Sequence, residues 1–212
     1  MWNKQPPRSG SLIVISGPSG SGKTSVIRGL CKADPRLVLS ISATTRLPRK
    51  NETDGKNYHF LSVAEFKDLI QQDSFVEWAK YGEHYYGTLK SEVESPMAQG
   101  QDLVLEIDVQ GAMQLKEQDF RSIFIFILPP SFAVLEKRLC ARKTESDQEL
   151  RQRLQAARSE VTVIKNYDYC VINPDDDIDQ AVEQIRHIIS AEKCRINNQL
   201  LESVVDEFSP VS

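Results

Sequence analysis

The octapeptide GPSGSGKT, Gly17 to Thr24, matches GxxxxGK[ST] and stands between an apolar run and a helical pattern. Its chemistry is that of a phosphate cradle. The segment Gly17, Pro18, Ser19, Gly20, Ser21, Gly22 lets the backbone curl with its N–H groups turned inward, and glycine is the residue that tolerates such a curl. A helix opening at the end of the loop adds about half a positive charge toward the bound anion. Lys23 is expected to bridge the β- and γ-phosphates of a nucleoside triphosphate, and the Thr24 hydroxyl to ligate Mg²⁺. Some twenty residues on, SISATTRLPR (40–49) places Arg46 and Arg49 three apart, a pair whose forked guanidinium groups suit a second phosphate.

A protein that only hydrolyses its nucleotide needs a positioned water, whereas a kinase must hold a second substrate in line. The arginine pair, with Tyr58 and Tyr86 as added phenolic donors, fits the second case. Glu77 lies in SFVEW, between apolar neighbours, an odd place for a charge unless something donates to it. Guanine offers a ring N–H beside an exocyclic amino group, a donor pair that one carboxylate can accept, while adenine presents an acceptor at that ring position. Ser42 and Thr88 are candidate donors to the guanine carbonyl. Glu106 and Asp108 end the run DLVLEID (102–108), where carboxylates at a strand's carboxyl end can order water around Mg²⁺ or accept from a substrate.

These groups need a frame. Five β-branched apolar runs, at 11–16, 37–42, 102–108, 122–128 and 169–173, alternate with helical patterns, and their continuous apolarity indicates strands of a parallel sheet covered on both faces. Helices are expected over 24–32, 132–142 with Ser131 as N-cap, and 178–195 with Asp177 as N-cap. Residues 38–90 break the rhythm. Their Tyr, Thr, Gly and His content suits short antiparallel strands, with one helix near 63–72. The expected organisation is a core domain over 1–37 and 91–212, an inserted subdomain over 38–90, and a charged helical lid over about 138–157.

The totals narrow the classes. A net charge of −4 speaks against a broad nucleic-acid surface, and the longest apolar run, 123–128, is far short of a membrane span, about 20 residues. The start of the chain has no apolar segment of the secretory kind, and four scattered cysteines with three histidines give no zinc spacing, so a cytoplasmic protein is expected.

GPSGSGKT, SATTRLPR, DGKNYHF, FVEW, YYGT, EIDVQGA and ILPPS occur in that order, and from about residue 11 to 193 the chain resembles the guanylate kinases. The resemblance implies ATP-dependent phosphorylation of GMP, and of dGMP, to GDP on a P-loop α/β fold with an inserted mixed α/β subdomain and a helical lid. It implies a GMP pocket formed by Ser42, Arg46, Arg49, Tyr58, Glu77, Tyr86, Thr88 and Asp108. Lys23 and Thr24 would serve ATP·Mg²⁺, Arg138, Arg142 and Arg153 would close over the phosphates, and Asn173 would lie near the adenine. Lys23, Arg46, Arg138, Arg142 and Arg153 are the transfer residues in this reading. Two positions depart from the family pattern: Lys143 stands in place of a glycine and Pro174 in place of an acidic residue. Two alternatives stay open on sequence alone. One is a guanylate-kinase-like binding module, against which the intact Lys23 counts; the other is a kinase for AMP or UMP, against which Glu77 counts. The oligomeric state is not legible.

Overall fold

Strand β1 (Leu12–Ser16) is buried at every position, which places it in the middle of a sheet covered on both faces. The computed structural model describes residues 10–118, 120–141, 147–196, 201 and 205. With β2 (Leu37–Leu39), β7 (Asp102–Glu106), β8 (Ser122–Leu128) and β9 (Tyr169–Ile172), β1 forms a parallel five-stranded sheet in the order β2-β7-β1-β8-β9. All five expected runs contribute a strand. Side chains along β1 alternate between two cores, as the pleat requires. Ile13 and Ile15 pack with Val26, Ile27 and Leu30 of α1 (Lys23–Ala33) and with Val182 and Ile185 of α7 (Ile178–Lys193). Leu12 and Val14 face the other way, onto Val93 of α3 (Lys90–Ala98) and Ala112 and Leu115 of α4 (Val109–Lys116).

The run expected as a strand over 37–42 leaves the sheet after Leu39. Beyond it the Glu92 carboxylate of α3 accepts the Ile41 N–H at 3.2 Å, and the chain passes into a second sheet. That sheet has the order β4-β3-β6-β5, from β3 (Ala43–Thr44), β4 (His59–Phe60), β5 (Phe75–Tyr81) and β6 (His84–Leu89). The expected antiparallel pairing holds for β3/β6 and β5/β6, but β3 and β4 run parallel. A long connection over 45–58 carries the chain back to the same edge, where a tight hairpin would have reversed it.

Helix α2 (Val63–Gln71) starts on a reciprocal cap between Ser62 and Glu65 and sends one side chain, Phe66, fully into this smaller layer. Phe66 stacks on Phe75 at 4.4 Å and on Tyr85 at 5.4 Å between ring centres. Helix α5 (Phe132–Cys140) begins where Ser131 accepts from the Val134 N–H at 3.2 Å. It presents Leu135 and Leu139 to Leu150, Leu154 and Ala157 of α6 (Asp147–Val161), so the charge-rich segment does carry a narrow apolar stripe. Arg142 and Lys143 lie outside the described residues.

Phe66 is a fully buried ring at the centre of the smaller layer's apolar cluster, so Phe66→Ala should lower unfolding stability by about 3–5 kcal/mol in a urea titration. A loss below about 1 kcal/mol would show that this layer closes around the void.

Candidate active site

The two sheets meet at a cleft of about 320 Å³. One end is formed by Gly17, Ser19 and Lys23, the other by Ser42, Tyr58, Glu77 and Tyr86, with Glu106, Asp108 and Arg153 between. A single cavity therefore joins residues more than a hundred positions apart.

The phosphate loop is wound as its glycines permit. Gly17, Gly20 and Gly22 have φ of 148°, 90° and 89°. A side chain at Gly22 would meet the Asn173 amide nitrogen at 2.2 Å. Asn173 is 4% exposed and donates its Nδ2 to the Ser21 carbonyl at 2.8 Å. Arg138 reaches the same carbonyl at 3.2 Å, the Asn173 carbonyl at 2.9 Å and the Asp175 carboxylate at 2.8 Å. Both residues thus brace the loop, and the acidic residue paired with Arg138 comes just after Pro174. Lys23 folds over the loop, its Nζ donating to the Gly17 carbonyl at 2.5 Å and the Pro18 carbonyl at 3.2 Å. The Thr24 hydroxyl donates to Glu106 Oε1 at 2.7 Å, which joins the start of α1 to the carboxyl end of β7. These are hard oxygen donors at the mouth of the loop. They suit Mg²⁺, which takes one or two protein oxygens and fills its remaining positions with water and phosphate oxygens.

At the far end Arg46 is held by Glu52, in two hydrogen bonds of 2.8 and 2.9 Å, and by a third to the Leu47 carbonyl. Its guanidinium lies 5.2 Å from the centre of the Tyr58 ring. The bidentate arginine holds the Glu52 carboxyl well down, to about 2, and Glu52 also accepts the Arg49 N–H at 2.7 Å. The Arg49 side chain is exposed and Arg46 half-buried, and neither lines the cleft wall directly as Tyr58 and Tyr86 do.

Glu77 is 5% exposed and faces the cleft. A bulge in β5 between Phe75 and Glu77 breaks the strict alternation of sides. Phe75 serves the smaller core, Val76 the larger one, and Glu77 turns to the cavity. Burial pushes its carboxyl up to about 7, and the neighbouring Asp108 adds to the rise, against the lowering effect of Thr88. The Thr88 hydroxyl, a candidate donor to a base carbonyl, donates to Glu77 Oε1 at 2.7 Å. A buried carboxylate takes the nearest donor because leaving it without one is costly. Asp108 caps α4 through the Gly111 N–H at 2.8 Å while its residue still lines the cleft.

Sequence reasoning missed several contributors. Nothing in the spacing of Glu52 marks it as the holder of Arg46. Ser40 lines the cleft with its hydroxyl buried and without a hydrogen-bond partner among the described residues. Glu160, near the end of α6, also lines the cleft; burial raises its carboxyl, opposed by the Lys23 ammonium and the Ser19 N–H. In sequence it is one more charge in a charged helix.

A family model described as guanylate kinase matches residues 9–192. A guanylate kinase from Caldanaerobacter subterraneus subsp. tengcongensis is 52% identical over 190 residues, covering 90% of this chain and 91% of the relative. One from Clostridium perfringens strain 13 is 46% identical over 202 residues, covering 94% and 93%. The crystal structure of guanylate kinase from Anaplasma phagocytophilum superposes with a TM-score of 0.75 at 27% identity, over 96% of this chain and 97% of that one. With a family model matching residues 9–192 and relatives this similar over most of its length, the chain belongs to the guanylate kinase family.

Proposed function

We propose that this protein transfers the γ-phosphoryl group of ATP directly to the phosphate of GMP, giving ADP and GDP, with dGMP as a second acceptor. The observation that carries the reading is the single cleft with a phosphate loop at one end and a buried carboxylate with two tyrosines at the other. In this reading residues 38–90 are the GMP-binding subdomain and about 138–157 the lid.

At the donor end the loop N–H groups and Lys23 hold the triphosphate. Arg138, braced by Ser21, Asn173 and Asp175, stands ready beside the loop, and Arg153 approaches from the lid helix. Thr24 and Glu106 would hold Mg²⁺, which would supply positive charge to offset the negative charge of the triphosphate. At the acceptor end Arg46, pre-set by Glu52, and Arg49 bind the GMP phosphate with Tyr58 and Tyr86. Glu77 accepts the ring N–H and amino group of guanine, Ser42 donates to the base, and Asp108 accepts from the nucleotide near the reacting centre. Phosphoryl transfer asks mainly for positioning and for fixed charge around the moving group, and it needs no covalent intermediate on the protein. Asn173 braces the loop under the adenine side. A cytoplasmic location goes with this chemistry; among the described residues no helix is long and apolar enough to cross a membrane.

A coupled ADP-release assay with ATP·Mg²⁺ and GMP, dGMP, AMP, UMP or CMP tests the reading: GMP should be the best acceptor, and AMP turning over faster would overturn it. Lys23→Ala should reduce kcat/KM by about two orders of magnitude or more, the scale of a preorganised electrostatic group, and wild-type turnover would remove Lys23 from the mechanism. Glu77→Gln should narrow the preference for GMP over AMP while leaving the KM for ATP near its starting value, because the amide offers one acceptor and one donor where guanine needs two acceptors. The pH profile gives an independent check. A carboxyl raised to about 7 must lose its proton before it can accept both guanine donors, so the KM for GMP should climb as pH falls below 7, toward about tenfold per unit. Glu77→Gln should retain only the shallower dependence of the GMP phosphate; parallel profiles for the two proteins would assign the whole effect to the phosphate.

A further inference from the structure

Glu77 is mounted on helix α4 through main-chain clasps on either side of it. The Gln114 side chain accepts the Trp78 N–H at 3.1 Å and donates to the Trp78 carbonyl at 2.8 Å. Gln118, just past the end of α4, donates to the Val76 carbonyl. Positions 111 and 114 share one face of α4, so these bonds fix which residue of the helix lies opposite Glu77. That residue is Gly111.

A methyl group on Gly111 would lie 2.3 Å from Glu77 Oε2 and 3.0 Å from its carboxyl carbon. The Gly111 backbone lies in the ordinary α-helix of α4 rather than in a glycine-only conformation, so its φ and ψ do not explain the glycine. Propensity argues against it too, since glycine inside a helix is less favourable than alanine by about 1 kcal/mol. What the missing side chain supplies is room for a carboxylate. The other Glu77 oxygen is pinned by Thr88 at 2.7 Å, so the group cannot swing away without giving up its donor. The Gly111 N–H, meanwhile, is taken by Asp108 Oδ1 at 2.8 Å. One residue thus touches both acidic groups of the acceptor end, holding Asp108 by its N–H and seating Glu77 against its Cα.

We propose that Gly111 is a specificity-positioning residue: it sets the place of the Glu77 carboxylate, and its distance from Asp108, that guanine recognition uses. The inference rests on the reading of Glu77 as the base acceptor. Gly111 itself touches neither substrate, and its effect is exerted through Glu77.

The experiment compares Gly111→Ala, Glu77→Asp, the double variant Glu77→Asp/Gly111→Ala and Glu77→Gln by steady-state kinetics with GMP, AMP and ATP, alongside thermal unfolding. Gly111→Ala should raise the KM for GMP by about tenfold or more while the KM for ATP stays within about twofold, the split expected when one group is misplaced by about an ångström. Shortening the acid by one methylene removes the overlap, so the double variant should have a lower KM for GMP than Gly111→Ala alone, a non-additivity that a general loss of stability does not produce. An unchanged KM for GMP in Gly111→Ala, an equal rise for GMP and ATP, or no relief in the double variant overturns the inference. Should Gly111→Ala fail to fold, the double variant must fold, and failure of both overturns it as well. If Glu77→Gln leaves discrimination between GMP and AMP unchanged, the base-acceptor reading itself falls, a result distinct from failure of the seat.

Discussion

The architecture turns on one tight curl of backbone. Between Gly17 and Gly22 the chain takes positive φ at three positions and runs so close to its surroundings that a side chain at Gly17 would strike the Ile127 carbonyl at 2.1 Å. Inward-facing N–H groups give the loop its affinity for phosphate, and within it the Ser21 N–H donates to the Pro18 carbonyl at 3.0 Å. The surrounding elements supply the bracing. β8 lies against Gly17, Asn173 after β9 and Arg138 on α5 both take the Ser21 carbonyl, and Thr24 ties the start of α1 to Glu106 on β7. The central sheet is therefore more than a scaffold behind the loop, since the ends of its strands are the loop's partners.

The acceptor end follows a different rule. There the difficulty is a carboxylate only 5% exposed, and burial raises the Glu77 carboxyl to about 7. The fold answers with a single hydroxyl donor, Thr88, and with a glycine that leaves space, and it supplies no cation to Glu77 among the described residues. An arginine against Glu77 would have held it firmly ionised and also used up its acceptor capacity. The cations of this end, Arg46 and Arg49, are gathered around Glu52 instead. In the proposed reading, separating the base acceptor from the phosphate binders keeps each free for its own part of one nucleotide.

Much of this was legible before any coordinates. The phosphate loop, the five parallel strands, the caps at Ser131 and Asp177 and the anomalous charge in SFVEW all follow from local patterns, because each is set by residues adjacent in the chain. The misses share a cause. β3 and β4 paired parallel, the strand at 37–42 ended early at Leu39, and Glu52 took hold of Arg46. Each of these depends on a partner brought in by the path of the chain, and no periodicity reports it.

The sequence by itself determined the donor chemistry, since a loop motif of eight residues carries its own geometry through glycine φ angles and the helix that follows. It also determined which side chains could distinguish guanine, because that depends on the donors and acceptors a residue type possesses. Only the tertiary structure decided which of those side chains are spoken for. Hydrogen bonds are short and directional, so whether Asn173 serves the loop or a ligand, and whether Gly111 is a helix defect or a seat for Glu77, turns on ångström placements between elements far apart in the chain.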